Sequence, residues 1–203
     1  MKRIFLLSPA HCGGGRAQLL LNERAQFDLA RRVRGDGGAP LGEVFSFMSG
    51  LYFRGKLAYA SAFASPPRRV GGVSVITSSD GLCDAGEAVD LARLRRFATV
   101  DIGAGDSPFR AALARDARRL AKAAGDDCEV VLLGSIATEK YVAPLLAAFG
   151  ARLRFPSAFV GRGDMSRGGL LLRCVREGCE LEYVGLADVP RRGPRPARLE
   201  PLR

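Results

Sequence analysis

Apolar positions along this chain come as short runs separated by longer stretches of helical spacing. Ile4 to Leu7 is an apolar run closed by Ser8-Pro9, which predicts a buried first strand. Ala17 to Leu21 and Arg24 to Arg34 follow, with Phe27, Ala30 and Val33 at helical spacing, until Gly35 to Pro40 breaks the chain. Leu41 to Ala64 reads as mostly helical and ends at Ser65-Pro66-Pro67. Val70 to Thr77 is a β-branched run, hence a strand, and Leu91 to Phe97 a short helix. Thr99 to Ile102 fits a short strand. In Ser107 to Ala124 an N-cap serine and first-turn proline precede Phe109, Leu113 and Leu120 on one side of a helix. Glu129 to Leu133 is a strand, Thr138 to Phe149 a helix stopped by Gly150, and Ala151 to Phe155 a further strand. Leu170 to Val175 and Glu180 to Val184 flank Arg176-Glu177-Gly178-Cys179 as a hairpin would. The order predicts a three-layer α/β fold: a mixed, mostly parallel sheet, helices on both faces and a C-terminal β-hairpin. One domain is expected over 1–187, then a Pro/Arg-rich tail over 188–203, extended or disordered.

Polar residues concentrate where strands end. Gly161 to Gly169 holds four glycines, two arginines, Asp164 and Ser166, a composition suited to a ligand-binding loop rather than a core element. Three other loops follow core strands: Ser8 to Arg16, Ser78 to Leu82, and Gly134 to Ala137. With parallel strands, all four gather on one edge of the sheet, around a common crevice. The first loop has glycines before a helix but neither a Walker A sequence nor the G-x-G-x-x-G spacing. Its His11 is the single histidine of the chain. A Ser8–His11–Asp80 triad lacks the nucleophile elbow that such chemistry uses. Tyr52 and Phe53 lie beside Arg54 and Lys56, either as a stacking surface next to positive charge or as core aromatics with solvated cations.

Charge narrows the partners. The net charge is +10, and all but four of the 31 basic residues are arginine. Such an excess points to nucleic acid or another anion, although a GC-rich genome also raises arginine content. The five cysteines show no metal spacing, so neither a metal site nor a cofactor is expected, and their odd number suits reduced thiols in the cytoplasm. No apolar run approaches the ~20 residues of a membrane span, and no membrane partner is expected.

Four segments together resemble the YaaA-type peroxide-stress proteins. Ile4 to His11 is similar to their opening strand and Ser-Pro-Ala-Lys. Ser49-Gly50-Leu51-Tyr52 to Gly55-Lys56 is similar to their Tyr-x-Gly segment, and Thr77 to Leu82 to a Ser-Gly-Leu-Tyr-Gly that follows a strand. Arg162-Gly163-Asp164-Met165-Ser166-Arg167 matches an Ala-Arg-Gly-x-Met-x-Arg signature, and Gly134-Ser135 with Glu139-Lys140-Tyr141 is like Ala-Ser-x-Glu-Tyr. The resemblance spans residues 3 to 167 and implies an α/β fold with nucleic-acid-binding character. The chain departs from it in carrying His11 in place of lysine and in lacking a helix-hairpin-helix insertion between Gln18 and Phe47. It also departs where a hairpin is expected after Arg167 instead of a long helix.

The leading expectation is a nucleic-acid- or nucleotide-binding protein. Arg162 and Arg167 would hold phosphate and Tyr52 would stack. Ser8, Lys56, Ser78, Gly134, Ser135 and Ser166 would line the crevice. If the protein is an enzyme, Asp80 or Asp164 would act as acid or base at a nucleobase or glycosidic bond, assisted by His11. The alternatives are a small-molecule nucleotide or sugar-phosphate hydrolase or transferase, and a non-catalytic nucleic-acid-binding protein.

Overall fold

The computed structural model describes residues 1–100, 102, 108–137 and 139–199. Strand β1 (Lys2–Leu7) is central because Ile4, Phe5, Leu6 and Leu7 are apolar on both faces and all fully buried, as in a strand covered from both sides. Strand β2 (Ala39–Pro40) belongs to a small antiparallel pair apart from the main sheet. Strand β3 (Val73–Ile76) lies parallel to β1 and carries antiparallel β4 (Leu82–Asp84) on its outer side. The partner of β2 is β5 (Ala88–Val89). Strands β6 (Cys128–Leu133) and β7 (Leu153–Pro156) extend the parallel sheet on the other side of β1, and β8 (Tyr183–Gly185) closes it antiparallel. The order is β4-β3-β1-β6-β7-β8.

Eight helices connect these strands among the described residues: α1 (Gly15–Leu21), α2 (Asp28–Arg34), α3 (Leu41–Ser49), α4 (Leu51–Phe63), α5 (Leu91–Thr99), α6 (Pro108–Ala124), α7 (Glu139–Phe149) and α8 (Asp164–Glu177). The chain leaves β1 toward β3 and later returns past it to β6. Right-handed crossovers then place the connecting helices on opposite faces. Accordingly α4 packs with α8 and against β1, whereas α6 packs with α7. The fold is three-layer α/β, and the connections diverge between β1 and β6, where an open α/β sheet forms its crevice. None of the described helices is long and apolar enough to cross a membrane.

Several local expectations change. The helix expected over Leu41 to Ala64 is divided at Gly50, whose φ of 64° no helix can continue. The expected Thr99 to Ile102 strand begins on the last residue of α5, and its Asp101 lies outside the described residues, as do the Ser107 cap and the Thr138 helix start. The largest correction follows Arg162. Only Gly161 to Gly163 is loop, and 164–177, including the expected strand Leu170 to Val175, is helical. Gly168, Leu171 and Cys174 recur at helical spacing and are buried. Gly178, expected as a hairpin turn, instead stops the helix at φ 67°, with the Cys179 N–H on the Cys174 carbonyl at 3.0 Å. The chain still closes on an antiparallel pair, but β8 pairs with β7 from earlier in the sequence.

Helices α4 and α8 touch backbone to backbone. A Cβ at Gly55 would meet the Gly168 carbonyl at 2.7 Å, and one at Gly168 would meet Leu51 O and Tyr52 Cα at 2.8 Å. Alanine normally gains about 1 kcal/mol over glycine inside a helix. Here Gly168→Ala should instead destabilise by about 1–3 kcal/mol through overpacking. Gly169→Ala, whose Cβ meets only Leu199 Cδ1 at 3.6 Å, should be neutral or stabilising. Thermal denaturation of both variants checks the difference in sign.

Candidate functional site

Ser8 ends β1, and its N–H donates to the Leu133 carbonyl at 3.0 Å, the last rung between β1 and β6. Immediately beyond β6, Gly134 leaves no room for a side chain: a Cβ would lie 2.8 Å from Ser8 Cβ. Into this strand-end junction α4 projects Lys56. Its Nζ donates to Ser8 O at 2.7 Å and to Ser8 Oγ at 2.9 Å, and the residue is 1% exposed. One turn earlier Tyr52 places its ring 4.6 Å from the same Nζ, with the Phe53 ring at 4.8 Å. These quadrupoles and the two hydrogen bonds favour the ammonium. Burial outweighs them and pushes Lys56 down to about 7; Asp164 pulls it up and Arg167 pushes it further down.

The close α4–α8 crossing brings the first turn of α8 to this cluster. Arg167, 11% exposed, donates through Nε and Nη2 to the Phe159 carbonyl at 3.2 and 3.0 Å, and its Nη1 lies 3.7 Å from Asp164. Its guanidinium also lies over the Phe159 ring, which packs edge-on against Tyr52. The Tyr52 hydroxyl is buried without a hydrogen-bond partner among the described residues. Its pKa is raised by burial; Arg167 opposes the rise and Asp164 adds to it. Burial, then Asp164, also raises Tyr141 of α7 to about 12. Asp164 thus acts on Lys56, Tyr52 and Tyr141 together while its own side chain is 69% exposed. The cluster combines a buried amine, an unpartnered hydroxyl, a fixed guanidinium and an accessible carboxyl group. It has donors for a phosphate and one acid/base group beside them.

The remaining expected residues fall elsewhere on the same edge. His11 lines a separate cavity of about 420 Å³ with Ser78, Phe97 and Lys140. There the Ser78 hydroxyl is committed to the Phe97 carbonyl at 2.7 Å. Ser135 Oγ accepts from the Ala137 N–H at 3.3 Å and shapes its own loop. Asp80 is an anchor: it pairs with Arg93 at 2.7 Å and Arg96 at 3.3 Å and accepts from Ser79. Burial pushes its carboxyl up, but these partners outweigh burial and hold it below its ordinary value. Arg162 donates to Ala158 O at 3.0 Å and Ser166 Oγ at 3.2 Å. Arg162 and Ser166 line another cavity, on the side of α8 that meets the tail. Tyr52 is core-packed rather than a free stacking face. Phe159 and Tyr141 escaped the sequence reading. Tyr141 stood inside a quoted motif, but Phe159 carried no signal beyond being apolar after a strand. No family model, no curated protein and no solved structure matches this chain.

Lys56 has a stability signature. The folded protein holds it near 7, whereas the unfolded chain keeps the proton up to about 10.5. The burial penalty is therefore full below pH 7 and relieved as pH rises toward 10.5. Lys56→Met should stabilise the fold by roughly 1–4 kcal/mol at pH 6, with the gap to wild type closing at alkaline pH. Denaturant titrations at pH 6 and pH 9 measure it. A less stable variant at pH 6 would mean that contacts of the ammonium outweigh its burial.

Proposed function

We propose that this chain binds a nucleotide unit, free or within a nucleic-acid strand, at the strand-end cluster of Ser8, Tyr52, Lys56, Asp164 and Arg167. The observation that carries the reading is Lys56: a nearly inaccessible ammonium with no carboxylate in salt-bridge range among the described residues. A buried cation without a counter-charge costs stability, and such groups concentrate at functional sites. A phosphodiester supplies the missing charge. It would accept from Lys56 Nζ, Arg167 and the otherwise unpartnered Tyr52 hydroxyl. The net charge of +10 favours an anionic partner.

Asp164 favours chemistry over binding alone. An accessible carboxyl group beside bound phosphate is placed to activate water or to stabilise an oxocarbenium-like centre at a glycosidic bond. Asp80, fixed in its ion pairs, is not available for that role. We accordingly read the protein as a divergent YaaA-type relative acting on a nucleobase or glycosidic bond. A long helix that begins inside the Arg162 to Arg167 signature and runs on past it supports the kinship, since a hairpin there was one of its departures. A cytoplasmic, reducing setting suits the five free thiols.

Dinucleoside monophosphates such as TpT and UpU test this reading, because their charge is constant between pH 6 and 8. Affinity should fall as pH rises through about 7, because anion binding favours protonated Lys56. Lys56→Met should flatten that profile and weaken binding by about tenfold or more, the loss of one charge-assisted hydrogen bond. Calorimetric titrations that find either dinucleotide bound equally by wild type and variant would remove Lys56 from the site. Arg167→Lys should lower both affinity and melting temperature, since its fork on the Phe159 carbonyl is lost with the guanidinium.

A further inference from the structure

As far as Leu199 the arginine-rich tail stays on the body of the protein. Arg191 donates to Ile136 O at 3.3 Å and pairs with Glu139 at 2.8 Å, tying the tail to the loop after β6. Farther on, the tail presses the Pro194 carbonyl against Gly161, whose φ is 72° and where no side chain fits. Arg162 Nη1 then donates to Ala197 O at 3.3 Å. The tail is a strap lying over the first turn of α8.

Strap and helix enclose a cavity of about 510 Å³. Arg162, Ser166 and Arg173 line it from the body, and Arg195 and Arg198 from the strap. Among the described residues none of these four arginines forms a salt bridge, and the lining holds no acidic residue. Like charges gathered on one cavity repel unless an anion joins them, and guanidinium forks suit phosphate oxygens. The two sides of the first turn of α8 differ. Asp164 and Arg167 act on Tyr52 and Lys56, whereas Arg162, Ser166 and Arg173 face the strap.

We propose that the strap cavity binds the backbone phosphates of a single-stranded nucleic acid whose neighbouring nucleotide occupies the Lys56 cluster. A free nucleotide cannot reach both sides of a helix about 10 Å across, but a strand passing its N-terminus can. The strap forms one wall of the cavity, and a single strand can bend from it around the helix end to the Lys56 cluster, which a stiff duplex cannot. The inference deepens the reading above and rests on it for the inner nucleotide alone.

The test uses the full chain with Arg195→Gln/Arg198→Gln, and separately Arg173→Gln from the body side. The probes are labelled single-stranded oligothymidylate and oligouridylate of about a dozen nucleotides, within the usual site size. The double variant should lose about tenfold in strand affinity at low salt. Its slope of log affinity against log salt should fall by roughly 1.4, two phosphate contacts on a single strand. Arg173→Gln should lose about half that slope, while melting temperature and TpT affinity stay unchanged in both variants. Strand affinity and slope unchanged in both variants, or no strand binding by wild type, would overturn the proposal. Duplex bound as tightly as single strand, or inorganic polyphosphate competing as well as the strand, would do the same. If wild type ignores TpT while strand binding depends on these arginines, the strap site stands and the Lys56 reading fails. If TpT binding requires Lys56 and the strand is indifferent to the strap, the reverse holds.

Discussion

The backbone contact between α4 and α8 at Gly55 and Gly168 is the constraint on which the rest of the site depends. Two helices far apart in sequence approach until the Cα of one meets the carbonyl of the other, which only glycine at both positions permits. That approach sets Tyr52 and Lys56 against Asp164 and Arg167, which bear on their protonation from more than a hundred positions away. It also covers the Lys56 side chain and removes it from water. The depressed lysine is a consequence of helix packing rather than of any one neighbour.

Polar groups on this edge divide by what they bond to. Asp80, Ser78 and Ser135 are committed to structural partners: Asp80 to two arginines of α5, Ser78 to the α5 carbonyl at Phe97, and Ser135 to a backbone N–H of its own loop. They hold the strand-end loops in place. The Tyr52 hydroxyl has no hydrogen-bond partner and the Lys56 ammonium no carboxylate in range among the described residues. Unsatisfied buried polar groups carry a cost that selection tolerates where function needs them. The contrast separates the scaffold of the edge from its candidate site groups more sharply than residue type does.

The first turn of α8 organises charge on both of its sides. Asp164 and Arg167 look toward the sheet edge, while Arg162 and Ser166 look toward the strap. The Arg-Gly-x-Met-x-Arg segment thus supplies two different surfaces because a helix begins in its middle. Its arginines also have mechanical duties: Arg167 clamps the Phe159 carbonyl and Arg162 those of Ala158 and Ala197.

The sequence by itself determined the sheet and its layers. The short apolar runs of β1 and β6, each closed by turn signals, fit strands covered on both faces, and polar loops then collect at their ends. It also picked out Ser8, Lys56, Gly134 and Arg167 as polar or glycine residues beside strand ends or cations. What it could not determine was whether Leu170 to Val175 ran as strand or helix. A short apolar run satisfies both periods, and Gly178 ends a helix as readily as it turns a hairpin. Tertiary structure decided that segment, because only as a helix can Gly168 dock against α4. It decided, too, that Asp80 would be paired, that the tail would fold back over α8, and that Lys56 would be buried. Those outcomes arise from contacts between residues distant along the chain, and no local pattern of hydrophobic and polar positions encodes them.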